Sequence, residues 1–321
     1  MTKIRKINYL DKFRFKKKIS FLEKNVVEHY MRSFKYFPFS HLHTYLPLCV
    51  KFLPESYVIE NKGDILGLIT LAPAHANPHK QTISRLFLDN EHFGVAKELV
   101  DFSVARYGAK GAKEFLAVVD SENAELMNLF SKECGFRQCS GKELWKLDVE
   151  ASNIGLKYKI FRNSDAKKVV ELYNDSLIPH FKSALTKVKE EYSDPPFKSL
   201  DEDYMLKYLV EDEKNRLIAF FTIITNDNKN FILSITPSMW DEIPYEEIVR
   251  AAKWEICKRN KQGTMYVKVR RYMQKIDVLE SFLREKGGEC TQNQVVFVKD
   301  FYREIKVDSP ILLFNQIKSQ V

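Results

Sequence analysis

The stretch Phe130-Ser-Lys-Glu-Cys-Gly135 has a counterpart in Phe282-Leu-Arg-Glu-Lys-Gly287, 152 residues further on. The match extends without a gap in both directions, so that Phe93 to Asp148 can be laid on Tyr245 to Asp300 at that one offset. Ala96, Val100 and Val104 then fall on Ile248, Ala252 and Ile256. This i, i+4, i+8 stripe predicts the same buried helix face twice. Phe102 falls on Trp254 and Gly111 on Gly263, while Phe115 to Val119 and Tyr266 to Val269 have the short β-branched character of strands. Each copy closes on an apolar strand ending in Asp, Glu143 to Asp148 and Val295 to Asp300. A repeat of this length makes the folding unit about half the chain.

With small gaps the repeat continues upstream. Val58 to Glu60 followed by Ile65 to Thr70 resembles Leu209 to Glu211 followed by Leu217 to Thr222, each reading as strand, polar turn, strand. The small and polar run Val149 to Gly155 reads as a linker. The second copy opens with a strand from Leu156, after which Ser164 or Asp165 can cap a helix over Ala166 to Tyr173. The expected order in each copy is β, helical region, β, β, β, α, β, α, β. The fold class is therefore α+β, with two mixed α/β domains at 1–150 and 156–305, each a mostly antiparallel mixed sheet flanked by helices. Ile178 to Phe197 is longer than its counterpart, and its prolines exclude a continuous helix, so it is expected as an insertion over one edge of the second domain. Residues 306–321, with the apolar run from Ile311 to Phe314, are expected to dock on a domain surface.

Composition agrees with a folded, cytoplasmic protein. The 321 residues are 45% hydrophobic and 13% aromatic, enough for two cores. Five cysteines form no CxxC or Cys/His cluster, so neither a disulfide framework nor a metal site is indicated. No run of 18 apolar residues is present, and the start Met1 to Lys6 lacks the apolar stretch of a signal peptide, so no membrane partner is expected. The net charge of +8 gathers near the start, where Lys3, Arg5, Lys6, Lys12, Arg14, Lys16, Lys17 and Lys18 meet the one acid Asp11. Ile4, Ile7, Tyr9, Phe13 and Phe15 alternate with these charges as in a half-buried strand, which is preferred over contact with nucleic acid.

Taken with Ile160 to Ala166, Asp64 to Ile69, Gly94-x-Ala96 and Phe130 to Phe136, the repeat resembles a tandem arrangement of the GNAT superfamily of acyl-CoA-dependent N-acetyltransferases, with weakened motifs. The resemblance implies acetyl-CoA or another acyl-CoA as co-substrate. It also implies a pyrophosphate loop, Gln/Arg-x-x-Gly-x-Gly/Ala, leading from the fourth strand into the next helix. Amides at such a helix start, with its dipole and small side chains, suit an anion. Here the fitting stretch is Glu91, His92, Phe93, Gly94, Val95 and Ala96, preceded by Leu86, Phe87 and Leu88 on the strand. An acid, Glu91, stands where the family has a basic or amide side chain. In the second copy the run Met239 to Glu247 has no glycine and carries Asp241, Glu242, Glu246 and Glu247, so any cofactor is expected in the first domain.

The Tyr by which the family often protonates the thiolate is replaced by Ser131 in the first copy and Leu283 in the second. Ser131 and His92 are the candidate catalytic residues, with His75 and His79 as further titratable groups. The leading expectation is an N-acyltransferase acting on a small-molecule or peptide amine. Alternatives are a catalytically silent tandem binding module, or an aminoacyl-tRNA-dependent transferase that would draw on the Lys3 to Lys18 cluster.

Overall fold

The computed structural model describes residues 2–8, 11, 54–74, 77–88, 94–194, 204–225 and 228–301. In the first half β1 (Lys3–Lys6), β2 (Glu55–Asn61), β3 (Asp64–Ala74) and β4 (Asn77–Leu88) lead into α1 (Ala96–Ala109) and β5 (Glu114–Asp120). Then come α2 (Ala124–Asn128), continued by a π turn at Leu129–Glu133, and β6 (Arg137–Leu147). The second half repeats this as β7 (Tyr158–Ile160), α3 (Ala166–Ser176), a short α4 (Lys182–Leu185), β8 (Tyr204–Glu211), β9 (Leu217–Thr225) and β10 (Asn230–Pro237). It ends with α5 (Tyr245–Arg259), β11 (Thr264–Arg270), α6 (Ile276–Glu285) and β12 (Glu289–Asp300). The expected order is the observed one among the described residues.

Local chemistry accounts for the joints. Lys62 and Gly63 both have positive φ, 49° and 88°, which makes the two-residue β2–β3 turn match the right-handed twist of its strands. Gly135 and Gly287, a matched pair, end the second helical segment of each half at φ 65° and 73°, the left-handed cap that glycine adopts without strain. Gly263 is needed for another reason. A Cβ there would lie 2.6 Å from Cε2 of Phe231 and 2.8 Å from Cγ2 of Ile256. The stripe residues Ala96, Val100, Val104, Ile248, Ala252 and Ile256 are all buried, as the repeat predicts.

The twelve strands of the described residues form one sheet, in the order β1-β2-β3-β4-β5-β12-β6-β11-β10-β9-β8-β7. The halves have exchanged their last strands. β12 of the second half pairs antiparallel with β5 of the first, and β6 of the first pairs antiparallel with β11 of the second. The two exchanged strands pair with each other at the centre. Period-2 alternation then splits β12 between cores: Val295 and Phe297 join the α1/α2 cluster, whereas Val296 and Val298 face the opposite side of the sheet. Phe297 stacks on Phe130 at 5.9 Å. Reciprocally, Trp145 and Leu147 of β6 pack into the α5/α6 core.

The opposite face carries α3 and the segment 178–194. This segment departs from the sequence expectation. It does not cap one edge but spans the halves: Lys207 on β8 donates to the carbonyl of Tyr192, while Lys80 on β4 donates to the carbonyl of Thr186. Asn77 on β4 also donates to Glu191. The apolar residues Leu185 and Tyr192 draw it onto the sheet, where their burial outweighs anything an edge offers. The run 306–321 lies outside the described residues, as do Tyr9 and residues 12–18 of the basic cluster.

Because Phe297 serves the core of the other half, Phe297→Ala is expected to cost about 3–5 kcal/mol and to unfold both halves in one denaturant transition followed by circular dichroism and tryptophan fluorescence. Two separated transitions would show that the halves are independent. Gly263→Ala is expected to cost about 1–3 kcal/mol through overpacking, measured in the same way.

Candidate cofactor cleft

The site is built by two parallel strands that part. β4 and β5 pair from Lys80 with Glu114 to Ile83 with Ala117, and there the ladder stops. β4 runs on to Leu88 and β5 to Asp120, the latter held on its other side by β12. Between these ends a gap opens in the sheet. Beyond the gap Leu86, Phe87 and Leu88 are buried and pair with Ile69, Leu68 and Gly67 of β3. In an antiparallel ladder alternate residues turn their amide and carbonyl away from the partner. Along this stretch such groups face the gap, available to a chain with amides of its own.

The helix after β4 begins at the mouth of the gap. Gly94 and Val95 form a single 3-10 turn before Ala96, and among the described residues no side chain caps the helix start. A Cβ at Gly94 would meet nothing within 4 Å. A hollow of about 530 Å³ beside Gly94 lies between α1 and β1 and is lined by Ile4, Gly94, Lys97, Glu98, Asp101 and Phe102. Lys97 is paired with Asp101, and Thr2 donates to Glu98. Unsatisfied first-turn amides therefore supply the attraction for an anion. Glu91, His92 and Phe93 lie outside the described residues, as does His75.

Of the other sequence candidates, His79 is placed away from the gap. Ser131 sits exposed on the π turn and donates to the carbonyl of Met127 at 2.6 Å, one turn back on its own helix. His79 lies where β4 begins, at the end opposite the gap, with Nδ1 3.0 Å from the carbonyl oxygen of Gly111. The described part of the basic cluster is neutralised internally: Arg5 pairs with Asp11 and Glu60, both at 2.7 Å, and Lys6 reaches Glu55. These contacts raise the Arg5 guanidinium above its ordinary range, chiefly through its bond to Asp11.

In the second half the same architecture is closed. β10 and β11 pair from Asn230 with Thr264 to Ser234 with Lys268 and then part. Arg270, at the end of β11, lies across this gap and donates to the carbonyl of Ile235 at 2.7 Å and to Oγ1 of Thr236 at 3.0 Å. At the start of α5, Pro244 brings no amide, and Glu246 is held by Arg250 and Lys286 at 2.8 and 2.9 Å. Asp241 accepts from Ser238 and pairs with Arg216, while Lys275 donates to its carbonyl. Sequence reasoning identified the acids of this run but not Arg270. An arginine closing a strand looks like any solvated charge until the strand's neighbours are known.

Among the described residues no group of three or more His, Cys, Asp or Glu could hold a metal ion, and no helix is long and apolar enough to cross a membrane. Cys134, Cys139, Cys257 and Cys290 are free thiols, and burial pushes that of Cys134 up to about 12.

Residues 24–136 match the model of the acetyltransferase (GNAT) family. No curated protein matches the chain by sequence. Among solved structures, the chain is similar to a tandem GNAT protein from the clavulanic acid biosynthesis pathway, solved without acetyl-CoA. The two are 9% identical over 95% of this chain and 100% of that one, with a TM-score of 0.62. It is also similar to a GCN5-related N-acetyltransferase from Sphaerobacter thermophilus, at 10% identity over 95% of this chain and 98% of that one, TM-score 0.59. Residues 24–136 thus carry the sequence pattern of the acetyltransferase (GNAT) family, and the chain as a whole has the fold of the tandem GNAT structures.

Proposed function

We propose that this protein is an N-acyltransferase whose first half takes acetyl-CoA or another acyl-CoA and passes the acyl group to an amine. The observation that carries this reading is the asymmetry of the two gaps. The first has an open helix start at Gly94, and the second is bridged by Arg270. In the first half Gly94, Val95 and Ala96 would receive the diphosphate, and the free backbone groups of Leu86 to Leu88 would align the pantetheine arm between β4 and β5. The acceptor would enter from the face opposite α1, a small molecule or a peptide bearing an amine.

Attack of an amine on a thioester forms a C–N bond and expels the CoA thiolate. Positioning supplies much of the rate, and a backbone amide aimed at the carbonyl oxygen stabilises the charge that develops there. Ser131 is committed to Met127, so it does not offer its proton to the thiolate. His92 remains the candidate for that proton transfer. A silent binding module is the alternative favoured by the acids Glu98 and Asp101 beside the helix start. The pairing of Arg5 and Lys6 gives no support to an aminoacyl-tRNA substrate.

Titration calorimetry with acetyl-CoA tests the reading. Heat of binding is expected from the wild type and none from Gly94→Asp, whose carboxylate would meet the diphosphate, with the circular dichroism spectrum unchanged. The double variant Glu246→Lys, Glu247→Lys is expected to bind as the wild type does, with a modest loss of thermal stability as Glu246 gives up Arg250 and Lys286. No heat at millimolar cofactor would leave the silent module. Loss of binding in the double variant alone would assign the cofactor to the second half.

A further inference from the structure

On the face opposite α1, cations gather without enough anions to match them. One cross-strand row runs Asp120, Gln294, Lys142, Arg270 across β5, β12, β6 and β11. Lys142 stands beside Arg270, and among the described residues its amine has no hydrogen-bond partner. Above the row, segment 178–194 lowers Lys187 onto the rings of Tyr173 and Tyr192, with Nζ 4.6 and 4.8 Å from their centroids. The guanidinium of Arg270 lies 5.9 Å from the Tyr173 ring. Two buried polar atoms here have no partner, Nε of Arg270 and Oε1 of Gln294, the latter residue only 3% exposed. A half-turn of the Gln294 amide exchanges its oxygen for its nitrogen, so the unpartnered end can be a donor.

The nearby acids are too few to match it: Glu191 partly offsets the charge of Lys187, and Lys80 adds a further cation. Glu114 is taken by Lys80 at 3.2 Å, and Glu191 accepts from Asn77. Burying more cationic groups than there are carboxylates to answer them is costly. The cost is visible in Lys187, whose pKa is lowered to about 7, and in Lys142, lowered to about 8, both chiefly by burial. The cluster has room for a further oxyanion.

We propose that Lys142, Lys187 and Arg270, with Gln294, bind an oxyanion carried by the amine acceptor. The row begins at Asp120, the end of β5 that borders the open gap of the first half. Lys142 is two strand spacings away, roughly 10 Å. An acceptor with its anion on this cluster would bring an amine some 6 to 8 bonds away to the face of the gap opposite α1. The assignment of the ligand as acceptor rests on the acyltransferase reading; the binding of an oxyanion does not. Arg270 thereby has two roles, closing the second gap with Nη2 and presenting Nε to the cluster. The exchanged strands β6 and β12 make the site a joint product of both halves.

The test is calorimetry at pH 7 on the full chain with three amines of one length: 6-aminohexanoate, 6-aminohexyl phosphate and hexylamine. One or both of the anionic compounds is expected to bind at least about tenfold more tightly than hexylamine, as charge-assisted hydrogen bonds provide. The better of the two identifies carboxylate or phosphate as the group recognised. In Lys142→Gln with Lys187→Gln the advantage is expected to disappear, while the thermal midpoint rises because two uncompensated charges are gone. Affinity in the wild type is also expected to fall as pH rises above 7. Lys187 and then Lys142 lose their protons in the free protein over that range, and Glu114, lifted to about 7 by burial, becomes charged. Lys80, Glu191 and the rings of Tyr173, Tyr192 and Tyr272 are the other titratable groups around Lys187 and Arg270. Equal binding of all three amines by the wild type, or an advantage that survives in the double variant and at pH 9, would overturn the proposal. Anion binding without acyl transfer would uphold it and count against the transferase reading, whereas transfer to hexylamine alone would do the reverse.

Discussion

The antiparallel pairing of β6 with β12 is the interaction on which the rest of the structure depends. Each strand leaves its own half, so each half completes its sheet with a strand it does not own. The consequence reaches both cores, since Phe297 packs on Phe130 and Trp145 joins the α5/α6 cluster. It also reaches the cleft. β5 can part from β4 beyond Ala117 because β12 holds its other edge, so the gap does not collapse for want of hydrogen bonds.

A duplicated fold starts with two equivalent gaps, and among the described residues only the second is bridged. In the second half a single guanidinium answers the carbonyl of Ile235, which would otherwise face empty space, while Pro244 and the paired Glu246 occupy the helix start. These substitutions stabilise the half that has them. An arginine bound to a strand carbonyl satisfies a buried acceptor, whereas an open gap leaves such groups to water or to a ligand. Among the described residues the first half leaves Gly94 and the end of β4 beyond Ile83 open, as the proposed cofactor site requires.

How much of this the sequence reveals follows from how local each feature is. The repeat is legible because Ala96, Val100 and Val104 keep one burial rhythm with Ile248, Ala252 and Ile256, and because Gly135 and Gly287 meet the same backbone demand. The exchange of strands is not legible: Val295 to Val298 alternate in a way that suits either core, and nothing local says which neighbour they choose. The path of 178–194 is half legible. Its prolines exclude a helix, but only the packed structure shows Lys80 and Lys207 holding it from opposite halves. The spacing around Gly94 marks the open helix start, while the closing role of Arg270 depends on a strand three positions along the sheet from β5.

The central claim is that only the first gap receives the cofactor, and hydrogen exchange read peptide by peptide by mass spectrometry tests it most directly. Adding acetyl-CoA is predicted to slow exchange at the amides of β4 beyond Ile83 and in the first turn of α1, and to leave the end of β10 and the start of α5 unchanged. Protection at β10 and α5, with none at β4 and α1, would contradict the account.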